Sequence, residues 1–173
     1  HSMRLDPDIM MVGEVRSPGS ARAAFAAAMT GHGMYTTLHS NDWLTVFDRL
    51  RGLEITDSLL YDPTLVRCLV NQSLARTLCP HCRIKFSDNQ DQVDDLVRAR
   101  IQRYCTPDTV WLRGPGCSQC LKGINGRSVI AEVVSPNRGL MQAYQQGKFA
   151  AYDYWMEHGG ITKCSHLIQR INE

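Results

Sequence analysis

No apolar stretch in this chain approaches the roughly 20 residues that a membrane-spanning helix needs, so no span is expected. The first residues do not pair a basic region with an apolar one, so no secretory signal is expected either, and the chain reads as cytoplasmic. Net charge is only +2 and the basic residues are scattered, which gives no push toward nucleic acid. Aromatics are sparse, and Trp43, Trp111 and Trp155 show no stacked pattern with basic neighbours; they read as packing residues. Internal repeats and low-complexity segments are absent. A phosphate-cradling G-x-x-x-x-G-K-[ST] loop is missing as well. The only Gly-Lys, Gly147-Lys148, lacks both the upstream glycine and the following hydroxyl residue. A chain of 173 residues holds one ordinary domain or two small ones.

What is present begins with Asp6-Pro7-Asp8-Ile9-Met10-Met11-Val12-Gly13-Glu14-Val15-Arg16. Ile9 to Val12 reads as a strand buried on both faces, ending at Gly13 and Glu14. Ligands in α/β proteins sit at the carboxyl ends of such strands, where a carboxylate can touch a hydrated metal ion or orient a water. Ser20 to Met29 is rich in helix formers, with Pro18 suited to an opening turn and Thr30-Gly31 supplying a stop. Met34 to Leu38 is a second strand. Strand, helix and strand form a βαβ unit, so the two strands are expected to be parallel. Parallel geometry places His39 at the same edge as Glu14, and His32 at the opposite edge unless the second strand begins later. Glu14 and His39 are therefore candidate site residues, with His32 a weaker one. An ordinary core strand ending in a solvated glutamate is the competing reading.

Seven cysteines without a secretory signal argue for thiols or metal rather than a disulfide framework. Cys79-Pro-His-Cys82 and Cys117-Ser-Gln-Cys120 are two C-x-x-C pairs, the spacing of a tetrahedral structural zinc site. A redox dithiol or unrelated free thiols are the alternatives. His81 could replace a cysteine as ligand; Cys68, Cys105 and Cys164 read as small buried residues or loop thiols. Between the pairs, Val93, Leu96, Val97, Ile101 and Tyr104 share a helical face, with Asp88 as its cap. The metal would supply much of this module's folding energy.

The remaining segments are read more coarsely. Leu44, Phe47, Asp48, Arg49 and Leu50 suggest one helix; Leu65, Val66, Cys68, Leu69, Val70 and Leu74 suggest another after Pro63. Arg49 is a nucleotide sensor, a subunit-seam contact or a surface ion pair; Arg76 is structural or interfacial. Gly126 to Val134 is a strand on which Arg127 and Glu132 could form an edge ion pair. Residues 138–173 read as helical, with Gly159-Gly160 stopping one helix and Thr162 capping the next.

DPDIMMVGEVR followed by TGHGMYTTLHSND resembles the Walker B segment and His box of the secretion ATPases, which power type II secretion, type IV pilus assembly and conjugative pilus biogenesis. Arg49-Leu50, Cys79-Pro80-His81-Cys82 and Gly126-Arg127-Ser128-Val129-Ile130-Ala131-Glu132 continue it in the family's order. The resemblance implies the C-terminal half of a RecA-like P-loop ATPase core, α/β with a parallel sheet, carrying a zinc-stapled insertion and a helical tail. It implies a homo-hexamer in the parent protein, at the inner membrane face beside a platform protein, using ATP and Mg²⁺. Glu14 would polarise water, and His39 and His32 would lie near the γ-phosphate or the subunit seam. Gly13, Arg16 and Arg49 would be nucleotide-associated, and Cys79, Cys82, Cys117 and Cys120 would hold structural zinc. Ser17 stands where the family commonly has an acid. The missing Walker A loop lies upstream in the family, so the chain is expected to be a piece of a longer protein that does not hydrolyse ATP alone. The expected division is 1–3 as an expression scar, 4–78 as ATPase core, 79–120 as zinc module and 121–173 as strand plus helices. The four cysteines favour an assembly motor over a retraction or conjugation motor. A zinc-dependent docking module without catalysis is the alternative of a different class.

Overall fold

The computed structural model describes residues 7–173; the expected scar at 1–3 lies outside them. In chain order the elements are β1 (Ile9–Glu14), α1 (Pro18–Met29), β2 (Gly33–Thr37), α2 (Leu44–Gly52), α3 (Asp57–Leu60), β3 (Leu69–Leu78), β4 (Ile84–Lys85), α4 (Asp95–Tyr104), β5 (Trp111–Leu112), β6 (Ile124–Val134), α5 (Arg138–Gln146), α6 (Lys148–Glu157) and α7 (Lys163–Asn172). They divide into two compact units, both discontinuous in sequence: residues 1–71 with 133–160, and 72–132 with 161–173. The segment 79–120 lies wholly inside the second unit, and 121–173 contributes to both.

In the first unit β1 and β2 pair in parallel, from Ile9 opposite Gly33 to Val12 opposite Thr36, with a register shift before Glu14 meets Thr37. Helix α1 joins them through its small side chains: Ala21, Ala24 and Ala27 are buried. Its start is a capping box that the sequence reading missed. The Ser17 hydroxyl accepts from the Ser20 amide at 3.3 Å, and the Ser17 amide donates to the Ser20 hydroxyl at 3.2 Å. The serine standing where the family has an acid is thus itself a helix cap.

The expectation that β1 is buried on both faces is corrected. Its residues alternate, with Ile9 64% and Met11 73% exposed. The exposed residues share one face, against which nothing packs among the described residues, and β2 is the only strand that pairs with β1 there. The hydrophobic core of this unit is built around Trp43, Phe47, Leu60, Val134, Leu140, Met141, Ala151 and Trp155, and β1 reaches it through Val12 and the following Val15. Trp43 and Trp155 meet edge to face with centroids 5.4 Å apart, and the buried Tyr144 hydroxyl donates to the Leu44 carbonyl at 2.6 Å. Both tryptophans are packing residues, as expected.

The helix expected over Leu65 to Leu74 is a strand from Leu69 onward, running from the end of the first unit's leading segment into the second unit. The leucines and valines that suggested a helical face are not one: Val70 and Leu74 are 58% and 59% exposed. Pairing with the long strand β6, distant in sequence, overrides the local pattern. The cap of α4 is Asp94, whose carboxylate accepts from the Val97 amide at 2.8 Å, not Asp88. The apolar side of α4 contributes no buried residue. No Arg127–Glu132 pair forms; Glu132 is buried and accepts from the Lys163 amide at the start of α7. Thr162 caps α7 by accepting from the Ser165 amide, as expected, and Gly159 adopts φ +84° beyond α6.

Candidate functional site

Two constellations hold chemistry, one in each unit. In the first, parallel pairing carries Glu14 at the end of β1 and His39 just beyond β2 to the same edge. The Glu14 carboxylate lies 3.4 Å from His39 Nε2 and 2.5 Å from the Arg16 guanidinium. Two bonds from β2 pin this edge: the Thr37 hydroxyl donates to the Gly13 carbonyl at 2.5 Å, and the Val15 amide donates to the Thr37 carbonyl at 3.0 Å. Thr37 is a site-building residue that sequence reasoning missed, because nothing local distinguishes it from Thr36. Beyond His39 the loop is braced by Ser40 against Thr45 at 2.7 Å and by Asp42, whose carboxylate accepts from the Thr45 amide at 2.8 Å.

Electrostatics at this edge favour the ionised carboxylate. The Arg16 hydrogen bond holds the Glu14 carboxyl below its ordinary value of 4.5, with further pull from the charges of Arg16, His39 and Arg49; desolvation opposes them. Arg49 on α2 makes no ion pair among the described residues and lines an open depression of about 530 Å³ with His39, Ser40, Asn41, Thr45 and Asp48. A side chain built at Gly13 would meet nothing within 4 Å. Glu14, His39, Arg16, Arg49 and Gly13 are thus brought together. His32 is not. It sits before the opposite end of β2, roughly 15 Å or more away at strand rise, with its Nδ1 bonded to the Thr30 hydroxyl at 2.9 Å.

The set around Glu14 suits a water held against a phosphate: the ionised carboxylate and the imidazole can orient the water, and the two guanidinium groups favour the phosphate's negative charge. No G-x-x-x-x-G-K-[ST] loop, whose backbone amides would cradle a triphosphate, occurs in the sequence to stand beside it. These residues fit the water-side half of such a site and not the phosphate-side half.

In the second unit, the four sulfurs of Cys79, Cys82, Cys117 and Cys120 all lie within 4.8 Å of one another. Three separations, Cys79–Cys117, Cys82–Cys120 and Cys117–Cys120, are 3.8, 3.8 and 3.7 Å. A tetrahedron with metal–sulfur bonds of about 2.3 Å has edges of about 3.8 Å, so the cage has the dimensions of a Cys₄ zinc site. None of the seven cysteines is in a disulfide. The Cys117 and Gly123 amides donate to the Cys120 sulfur at 3.3 and 3.2 Å and bring that thiol down to about 7, while burial and its sulfur neighbours push Cys82 up to about 12. Backbone closes the cage: the Cys79 amide bonds to the Gly123 carbonyl at 2.9 Å, and the Arg83 amide to the Cys79 carbonyl at 3.0 Å. Gly114 packs so tightly that a Cβ there would lie 1.6 Å from the Cys82 carbonyl oxygen. His81 stands outside the cluster.

Comparison with known proteins gives these geometries a context. The chain is 33% identical over 147 residues to type II secretion system protein E of Klebsiella pneumoniae, covering 84% of this chain and 28% of that protein. It is 38% identical over 142 residues to the type IV pilus assembly ATPase TfpB of Acinetobacter baylyi, covering 81% and 23%. The chain therefore spans about a quarter of the length of these relatives. Its fold matches that of the Legionella pneumophila ATPase DotB with a TM-score of 0.56 at 18% identity, over 95% of this chain and 35% of that one, a likeness of α/β fold. The family described as "Type II/IV secretion system protein" matches residues 1–168, and the chain belongs to that family.

Proposed function

We propose that this chain is the C-terminal part of the ATPase core of a motor that drives pilus assembly or type II secretion. The observation that carries the reading is the meeting of Glu14 and His39 at the carboxyl edge of a parallel strand pair, in a chain of this family. Glu14, kept ionised by Arg16, is the group that orients the attacking water; His39 lies beside it and Arg49 lines the approach for negative charge. Bound ATP would supply the phosphoryl group and Mg²⁺ the charge neutralisation. Their phosphate cradle belongs to a part of the parent that this chain does not span, so these residues alone are inactive. His32, at the far end of β2, would lie near the γ-phosphate or the subunit seam of a homo-hexamer. The zinc-stapled module is structural, and a platform protein of the inner membrane is the partner on which the motor acts from the cytoplasm. No helix of the described residues is long and apolar enough to cross a membrane.

The Cys₄ cage also favours a second reading, a zinc-dependent docking module that hydrolyses nothing. Both readings need zinc, and only the first needs Glu14 as a carboxylate. ATP turnover by the parent protein, wild type against Glu14→Gln, separates them. Loss by a factor of about a hundred or more with nucleotide still bound establishes the motor reading. Equal turnover removes Glu14 from the chemistry, and no turnover in either leaves the docking module.

A further inference from the structure

Strands β4 and β5 form a two-stranded antiparallel ribbon beside the zinc cage, with Lys85 opposite Trp111 and Ile84 opposite Leu112. Continuing that register by one pair sets Arg83 opposite Arg113. Side chains alternate along a strand, so Arg83, Lys85, Trp111 and Arg113 share one face and Ile84 and Leu112 share the other. The ring contacts bear this out: the Arg83 guanidinium carbon lies 4.1 Å from the Trp111 centroid, and Lys85 Nζ lies 5.8 Å from it. Trp111, read from sequence as a packing residue without basic neighbours, is in fact the platform for two of them. Arg113 donates through Nε to the backbone carbonyl of Lys122, a fourth, exposed cation on the adjoining loop, at 2.7 Å.

None of these four cations has a carboxylate partner among the described residues. The imbalance extends to the whole unit, which carries eleven Lys and Arg against seven Asp and Glu. The backbone under the face is closely packed. Arg83 follows Cys82 directly, and Gly114, next to Arg113, is packed against the Cys82 carbonyl. A guanidinium stacked on an indole keeps its N–H edge free and pre-oriented, the arrangement that binds carboxylates bidentately. We infer that this face docks an extended acidic segment of a protein partner, with Arg83 and Arg113 as carboxylate forks and Lys85 and Lys122 as flanking charges.

The same geometry disfavours two other anions. A membrane surface would want the indole free to enter the acyl boundary, and a single strand of nucleic acid would want it free to stack on a base. Here the ring is covered by Arg83.

The test uses the full zinc-loaded chain and a fluorescein-labelled (Asp-Glu-Gly)₃ peptide, with binding read by anisotropy at low and high salt. Saturable binding that weakens with salt is expected, and Arg83→Gln with Arg113→Gln should weaken it at least tenfold. Arg100→Gln with Arg103→Gln removes the same charge from α4 and should change it less than twofold. Zinc content and circular dichroism of both variants should match wild type, because all four side chains are exposed. Absence of saturable binding would overturn the inference, as would equal weakening by both double variants. Tighter binding to anionic lipid vesicles or to a single-stranded oligonucleotide than to the peptide would overturn it in favour of those ligands.

Discussion

Glu14 and His39 touch at 3.4 Å although a whole helix and a strand separate them in sequence. The contact exists because β1 and β2 run parallel, so the end of one and the exit of the other share an edge. Arg16, two residues on, completes the cluster and decides its charge.

That charge has a measurable consequence. The Glu14 carboxyl is depressed in the folded chain, chiefly by the Arg16 hydrogen bond, so its favourable contribution is whole above the ordinary value of 4.5 and is lost as pH falls through the lower folded value. A carboxyl-carbon NMR titration should place the Glu14 midpoint below 4.5, and Arg16→Gln should move it upward. A midpoint unmoved by that change would show that Arg16 is not the cause.

Zinc should bind at about one ion per chain and be held by four thiolates. Cys79→Ser should lower zinc affinity by more than the roughly 10–100-fold that loss of an outer-shell partner costs. Hydrogen exchange should then show lost amide protection in residues 72–132, with the Trp43–Trp155 core of the first unit unchanged. Unchanged zinc content in the variant would remove Cys79 from the site.

Gly114→Ala tests the packing of the same cage without touching a ligand. Its Cβ would overlap the Cys82 carbonyl oxygen, so backbone must move, and destabilisation of about 1–3 kcal/mol or more is expected together with weaker zinc binding. Gly19→Ala is the control: nothing lies within 4 Å and the position is helical, so it should be neutral or stabilising by up to about 1 kcal/mol. Thermal unfolding of the two variants decides it.

Ser17→Ala removes the acceptor for the Ser20 amide and should cost about 0.5–2 kcal/mol. Ser17→Asp restores a capping oxygen and should recover most of that loss. Denaturant midpoints of the three proteins are the measurement. Equal midpoints would mean that the capping box contributes nothing.

Much of the site was legible before any coordinates. The C-x-x-C spacings named the four cysteines whose sulfurs come together, because two residues between cysteines let both sulfurs turn to one point. A strand, an alanine-rich helix and another strand imposed parallel pairing, and parallel pairing alone put His39 at the edge of Glu14 and His32 away from it. Local capping chemistry marked Thr162 correctly. Other features depended on partners remote in sequence, and there the tertiary structure decided. Leu69 to Leu78 became a strand because β6 lies beside it, although the apolar residues from Leu65 to Leu74 suggest a helix. Residues 9–12 were expected to be covered on both faces, but burial depends on what packs against a strand, which its own composition cannot state. Thr37 entered the site through a hydrogen bond to Gly13 that no motif announces. Trp111 gained its cations only when antiparallel pairing set β5 against β4. Spacing along the chain determined which residues could share an ion or an edge; the pairing of distant strands determined which of them face one another.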